Sequence, residues 1–431
     1  MADAHRREWA RVLATTIGVT GDIDLAEECV QDAYSRALTN WRETEIPANP
    51  GAWLTTVARR RAIDLVRRRS TQERLFATLV DQNDIDSPRE ETDQGPADDR
   101  LRLIFTCCHP SLSIETRVAL TLKLVCGLTT SEIARAFLLS EPTMAARITR
   151  AKKKIATSRI PYRVPTPEDL PARIDAVLLV VHLVFTTGHT APSGSDLVRG
   201  DLVERSLELA RLLRLLLPDR SDVTGLLALI LLTDARRRTR TGPGGDLLLL
   251  SQQDRSRWDH SAIEEGTVLV RGALSQRPAS RFALMAAIAA LHAASPSWEI
   301  TDWNEIVALY DLLLVAWPSP VVALNRAAAV GFAHGPQAGL VALDALSRDP
   351  LLSNYSYLAS TRAHFLDALE RNVEARAAYE EALEHCENGV ERAFLRQRVK
   401  NLDARQASED VTSGVNCKTV SPSLKTVEGP A

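Results

Sequence analysis

The stretch "LTTSEIARAFLLSEPTMAARITRAKKKI", Leu128 to Ile155, decides how the chain is read. Thr129 followed three residues on by Glu132 is a capping box, and it starts a helix whose Ile133, Ala134, Phe137 and Leu138 fall on one apolar stripe. Ser140 caps a second helix, and Pro142 is tolerated in its first turn, where an amide would have no intrahelical partner. Along this second helix Met144, Ile148, Ala151 and Ile155 recur at helical spacing and face inward, while Thr143, Arg147, Arg150 and Lys154 occupy the opposite face. Two short helices about a tight turn, the second carrying cations outward, make a helix-turn-helix. When such a helix enters the major groove, its short polar groups reach base edges and its Arg and Lys meet phosphate and guanine. A plain helical hairpin is the alternative, but turn, caps and basic face all agree with the DNA-reading form.

A second basic segment lies upstream. In "NPGAWLTTVARRRAIDLVRRR", Asn49 to Arg69, the residues Trp53, Leu54, Val57, Ala58, Ile63, Leu65 and Val66 supply a helical core. Arg59, Arg60, Arg61, Arg67, Arg68 and Arg69 crowd around them, and a helix this basic beside an aromatic suits phosphate binding with base stacking. Before it, "DLAEECVQDAYSRALTNW" is an amphipathic helix with Glu27, Glu28, Gln31 and Asp32 outward and Cys29, Val30, Ala33 and Leu38 inward. Its acidic face points to a protein partner.

Net charge conceals this patterning. The 431 residues carry a net charge of only −3, yet Gly51 to Ser70 holds six arginines against Asp64, and Glu141 to Ile160 holds six Lys or Arg against Glu141. Between these blocks Asp81 to Asp99 carries eight acids against Arg89, with almost nothing apolar, which reads as a disordered acidic linker. At 45% apolar residues the chain has material for roughly three domains. Six cysteines, at 29, 107, 108, 126, 386 and 417, form no disulfide framework for a chain this long, and a reducing, cytoplasmic setting fits. Cys107, Cys108 and His109 would open a metal site, but no second ligand pair follows at suitable spacing, so packed core is the preferred reading. The polar start "MADAHRREWARV" is not a signal peptide, and the longest apolar run, Ala176 to Phe185, falls far short of a membrane span.

The order of these segments, "AEECVQDAYSRAL", "AWLTTVARRRAIDLVRRR", acidic linker and helix-turn-helix, resembles regions 2 and 4 of extracytoplasmic-function sigma factors, the minimal sigma-70 class, over about the first 160 residues. The resemblance implies that Ala26 to Asp32 dock on the clamp helices of the RNA polymerase β′ subunit and that the Trp53 to Arg69 helix engages and melts the −10 element of promoter DNA. It further implies that Thr129 to Ile155 reads the −35 element, with the β flap a second polymerase contact. The acidic linker then mimics RNA in the polymerase channel. Two positions depart from the family pattern, Cys29 where Leu is common and Arg60 where Asn is common. The loop "RETEIPANPG", Arg42 to Gly51, is the candidate pocket for a flipped base, with Asn49 its polar reader.

From Pro161 the chain turns proline-rich, then helical with Leu and Ala stripes and hardly any strand signal. "NRAAAVGFAHGPQAGLVALDAL" and "TRAHFLDALERNVEARAAYEEAL" align at an offset of about 36, close to the tetratricopeptide period, with Ala363, Leu366, Ala375, Tyr379 and Ala382 as packing positions. With "FTCCHPSL", "RIPYRVP", "LVFTTGH" and "QDRSRWD", the layout resembles a subgroup of these sigma factors with a large tetratricopeptide-like extension. "QDRSRWDH" makes either a polar site or a staple between helices; His182 and His189 read as core histidines.

The expected fold is all-α: a sigma region 2 bundle over 1–70, an acidic linker over 71–99, a region 4 helix-turn-helix over 100–160, a helical extension over 161–301, repeats over 302–401 and a disordered tail over 402–431. The expected function is promoter-specific initiation with core polymerase, with the C-terminal domain regulating in cis and offering a surface to a protein partner. A helix-turn-helix regulator that is not a polymerase subunit is the alternative. No phosphate loop, zinc motif or nucleophile elbow suggests an enzyme, a cofactor or a metal.

Overall fold

Apolar residues recur three and four apart along much of the chain, and the structure is 74% helical, with 18 α-helices among the described residues. The computed structural model describes residues 2–43, 47–77, 99–137 and 139–416. Two compact units divide the chain, one of residues 1–187 and 201–219, the other of residues 188–200 and 220–431.

The first unit opens with α1 (Ala2–Thr20), α2 (Ile23–Glu43) and α3 (Pro50–Ala77). Gly21, at φ 63°, ends α1, and the Asp22 carboxylate caps α2 by accepting from the amides of Asp24 and Leu25 at 2.9 and 3.1 Å. Val12, Leu13 and Ile17 are buried with Ala26, Val30, Ala33 and Ala37 of α2 and Leu54, Ala58 and Ala62 of α3. Leu38, expected inward, is 47% exposed; Ala37 takes the buried stripe, and the next residue is turned about 100° away from it.

Four helices follow: α4 (Asp99–Cys107), α5 (Ile114–Leu120), α6 (Thr130–Ala136) and α7 (Glu141–Thr157). A π-helical turn over Thr121–Val125 extends α5, and the Leu124 carbonyl there accepts the Trp9 indole N–H from α1 at 3.1 Å. Gly127, at φ 70°, closes that turn, the Leu128 amide donating back to Leu122. Residues 78–98, which hold most of the expected acidic linker, lie outside the described residues.

Beyond Pro161, α8 (Leu170–His189) and α9 (Gly200–Leu216) belong largely to this same unit. Ile174, Val177, Leu178, Val181, Val184 and Phe185 are buried along α8, and Arg173 donates to the Phe105 carbonyl at 2.7 Å. By length and composition alone the 20 residues of α8, with a mean hydropathy of 1.6 in their most apolar window, are long and apolar enough to cross a membrane, a test that a core helix also passes, and 44% of that window is buried in the structure. The apolar run from Ala176 to Phe185 is flanked within the helix by Arg173 and Asp175 on one side and by Thr186 and Thr187 on the other.

The second unit contains α10 (Ser221–Asp234), α11 (His260–Leu274), α12 (Arg281–Ala294), α13 (Trp303–Ala316), α14 (Pro320–His334), α15 (Pro336–Asp344), α16 (Ser356–Ala368), α17 (Asn372–His385) and α18 (Gly389–Asn416). The starts of α14 and α16 are 36 residues apart (320 to 356), as are those of α15 and α17 (336 to 372). Ala363, Leu366, Ala375, Tyr379 and Ala382 are all buried. A Cβ on Gly331 or Gly339 would come within 2.1 or 2.5 Å of the Phe365 ring, so the two glycines form the notch that seats it. The first part of the tail expected to be disordered from residue 402 is helical: α18 runs to Asn416, Leu402 is buried and Arg405 pairs with Asp367 at 2.8 Å, while residues 417–431 lie outside the described residues.

"QDRSRWDH" folds as a staple. Asp254 caps a 3-10 turn through Ser256, Arg255 donates to the His292 carbonyl at 2.7 Å and stacks on Trp258, and buried Trp258 donates to Thr239 at 2.9 Å. Two two-residue strands, β1 (Ser193–Gly194) and β2 (Glu387–Asn388), pair in parallel, and Asn388 donates to the carbonyls of Ala191 and Asp196 at 2.9 Å each.

Candidate nucleic-acid interface

The turn between α6 and α7 is built as its residues dictate. Thr129 donates amide and hydroxyl to the Glu132 carboxylate at 2.7 Å each and accepts from the Glu132 amide at 3.2 Å. Ser140 accepts from the Thr143 amide at 3.3 Å and shares a hydrogen bond with the Thr143 hydroxyl. Ile133, Ala134, Met144, Ile148, Ala151 and Ile155 are buried, Phe137 is half-buried, and Leu138 lies outside the described residues. Thr143, Arg150 and Lys154 are exposed and Arg147 half-exposed. Arg147, Arg150 and Lys154 rim a groove of about 260 Å³ with Leu112, Ser113 and Thr116. Within it Lys154 donates to the Ser111 carbonyl at 2.6 Å, which fixes its ammonium near one end of the helix face.

The second basic surface lies on α3. Arg59, Arg60, Arg67, Arg68 and Arg69 are exposed; Arg61 is half-buried, 3.8 Å from Asp32, and Arg69 lies 3.8 Å from Asp22. Trp53 is half-buried and meets Trp41 edge-to-face at 5.5 Å between centroids. Asn49 has a role that sequence reading missed: its side-chain oxygen caps α3, accepting the Ala52 amide at 3.0 Å. Residues 44–46 of the expected base pocket lie outside the described residues.

The acidic face of α2 departs from expectation at one residue. Glu28 and Gln31 are exposed, and half-buried Asp32 pairs with Arg36 at 3.0 Å. Glu27, expected outward, is only 6% exposed, because Lys152 of α7 reaches it directly and also binds Asp24 at 2.8 Å. Burial lowers the Lys152 pKa, but the hydrogen bonds to Asp24 and Glu27 outweigh it, and the net shift is upward. No local signal in the sequence links residues this distant.

Cys107, Cys108 and Cys126 are buried, and burial pushes the Cys108 thiol up to about 11 and the Cys126 thiol to about 12. His109 is half-exposed rather than packed in the core, and shares a 2.7 Å hydrogen bond with Ser111. Among the described residues no group of three or more His, Cys, Asp or Glu is placed to hold a metal.

Residues 1–72 match the family described as sigma-70 region 2, and residues 102–155 the one described as sigma-70, region 4. This chain carries sigma-70 regions 2 and 4. Region 2 thus comprises the α1–α3 bundle with its arginine-rich helix, and region 4 comprises α4 to α7 with the capped turn. Residues 173–274 match a family of unknown function, DUF6596. An uncharacterized protein of Rhizobium meliloti is 40% identical over 391 residues, 90% of this chain and 92% of that protein, and this chain belongs to one family with it. A probable ECF RNA polymerase sigma factor, SigI, of Mycobacterium tuberculosis is 30% identical over 160 residues, 36% of this chain and 53% of SigI. No solved structure matches the chain.

Proposed function

We propose that the protein is a sigma factor: it binds core RNA polymerase and directs promoter-specific initiation from the cytoplasm. The observation that carries this reading is the joining, in one chain, of region 2 with an arginine-lined α3 and region 4 with a capped helix-turn-helix whose outer face is Thr143, Arg147, Arg150 and Lys154. In this reading α7 enters the major groove of the −35 element, and α3 holds the single strand as the −10 element melts. Asn49 and Trp53 lie at the flipped base, while Glu28, Gln31 and Asp32 meet the β′ clamp helices and region 4 meets the β flap. The acidic segment before Asp99 threads the RNA channel. The helix pairs of the second unit act as a tetratricopeptide-like stack that regulates in cis and receives a protein partner.

Lys152 supports a control built into the sigma modules. It occupies Asp24 and Glu27, on the helix face assigned here to the polymerase, so binding polymerase requires α7 to let go of α2. The free protein is therefore held closed, with Lys152 of region 4 bound to Asp24 and Glu27, beside the Glu28, Gln31 and Asp32 assigned to the polymerase.

Run-off transcription with purified core enzyme and a mapped promoter tests the proposal: specific initiation is expected, and background transcription alone would sink it. Tight sequence-specific duplex binding without polymerase, together with no initiation, would favour a regulator that is not a polymerase subunit.

A further inference from the structure

In the second unit, α10, α12, α13 and α14 enclose a cavity of about 360 Å³, and a neighbouring cavity of about 490 Å³ shares Leu250, His292, Tyr310 and Asn325 with it. The smaller cavity is apolar apart from a few groups, and one of these is a cation, Arg236. Three other arginines nearby make contacts of their own, although the Nη2 of Arg255 has no hydrogen-bond partner among the described residues. Arg237 pairs with Asp234 at 2.8 Å, Arg240 donates to the His189 carbonyl and to Thr190, and Arg255 donates to the His292 carbonyl. Among the described residues no acid pairs with Arg236. Burial, and after it the Arg240 charge, bring its pKa down to about 10, so it still carries its charge at neutral pH. Across the same cavity His292 presents a buried Nδ1 with no hydrogen-bond partner, and burial draws that imidazole down to about 4, so it is neutral.

An unpaired guanidinium among apolar side chains is expensive unless something answers its charge. Apolar walls with a few convergent polar groups are the usual form of a small-molecule site, and a cavity of this size accommodates one. We propose that this cavity binds a small organic anion, a carboxylate or sulfonate on an apolar or aromatic body, with Arg236 holding the charge and His292 a further oxygen. A nucleotide is a poor fit, because several phosphates would face one unpaired cation. The inference does not depend on the sigma reading.

The test uses the full chain and two probes, 1-naphthaleneacetate and its uncharged amide, by titration calorimetry. The acetate is expected to bind once per chain and at least tenfold more tightly than the amide. Arg236→Met should weaken the acetate about tenfold and leave the amide unchanged, while Ala289→Phe, which fills the cavity, should abolish both. The comparison of the two probes on the unaltered chain stands even if either variant fails to fold. Equal affinity for acetate and amide, or no saturable binding of either, overturns the assignment.

Discussion

Arg147, Arg150 and Lys154 stand on one face of α7, but they are not equivalent. Lys154 is tied to the Ser111 carbonyl, whereas the two arginines have forks that can pair with a guanine edge. Arg147→Ala and Arg150→Ala should each cost about 1–3 kcal/mol on a matched −35 element and little on a scrambled one; Lys154→Ala should weaken both alike. Competition binding on the two duplexes checks this, and equal effects for all three would show that another face reads DNA. His292 gives a pH prediction. Its folded value, about 4, lies below the ordinary 6.5, so between those values the unfolded chain takes up a proton that the folded chain refuses. Stability therefore falls as pH drops through this window, by on the order of 3 kcal/mol. Melting curves should show a shallower acid decline for His292→Gln; an unchanged slope would refute it. At this scale local chemistry was legible: Thr129, Glu132 and Ser140 cap as their spacing dictates. The capping role of Asn49 was not legible, because a cap and a base reader have the same side chain and only the position of the Ala52 amide reveals the cap.

At the scale of elements the contact of α7 with α2 rests on one lysine. Breaking a buried pair strands the charge left behind, typically at a cost of about 3–5 kcal/mol. Lys152→Met should therefore lower the melting temperature of the first unit and, by exposing the α2 carboxylates, tighten binding to core polymerase. Anisotropy with labelled protein measures that affinity, and an unchanged value would mean that the contact is no barrier. On α3, replacing Arg67, Arg68 and Arg69 should reduce promoter melting, followed by permanganate reactivity, and flatten its salt dependence by roughly 0.9 in log–log slope for each phosphate no longer neutralised. Helix existence and inward faces could be read from periodicity, including the 36-residue offset that returns as α14 to α17. Glu27 could not, since an acid on a polar stripe looks solvated until a partner more than a hundred residues away covers it.

For the whole molecule, the division into units follows contacts more than chain order, and it alters where the chain should be cut. Ending it after Ile160 removes α8 and α9, which belong with the sigma modules, and leaves the Phe105 carbonyl without Arg173. A chain ending at Asp219 should stay soluble and melt cooperatively, whereas one ending at Ile160 should aggregate or melt lower; comparable melting of the two would show that α8 and α9 add nothing. Comparing transcription by the 219-residue form with that of the full chain then isolates what the second unit does. The residues linking α8 to α9 add a matter of timing. Ala191 is bound by Asn388, 197 residues later, so on the ribosome its partner does not exist when it is made. At about 5–20 residues per second the wait is roughly 10–40 s; residues 1–187 of the first unit are made before it begins, and the remainder, 201–219, are synthesised within it. Each nascent chain thus passes through a period as a sigma module without its second unit.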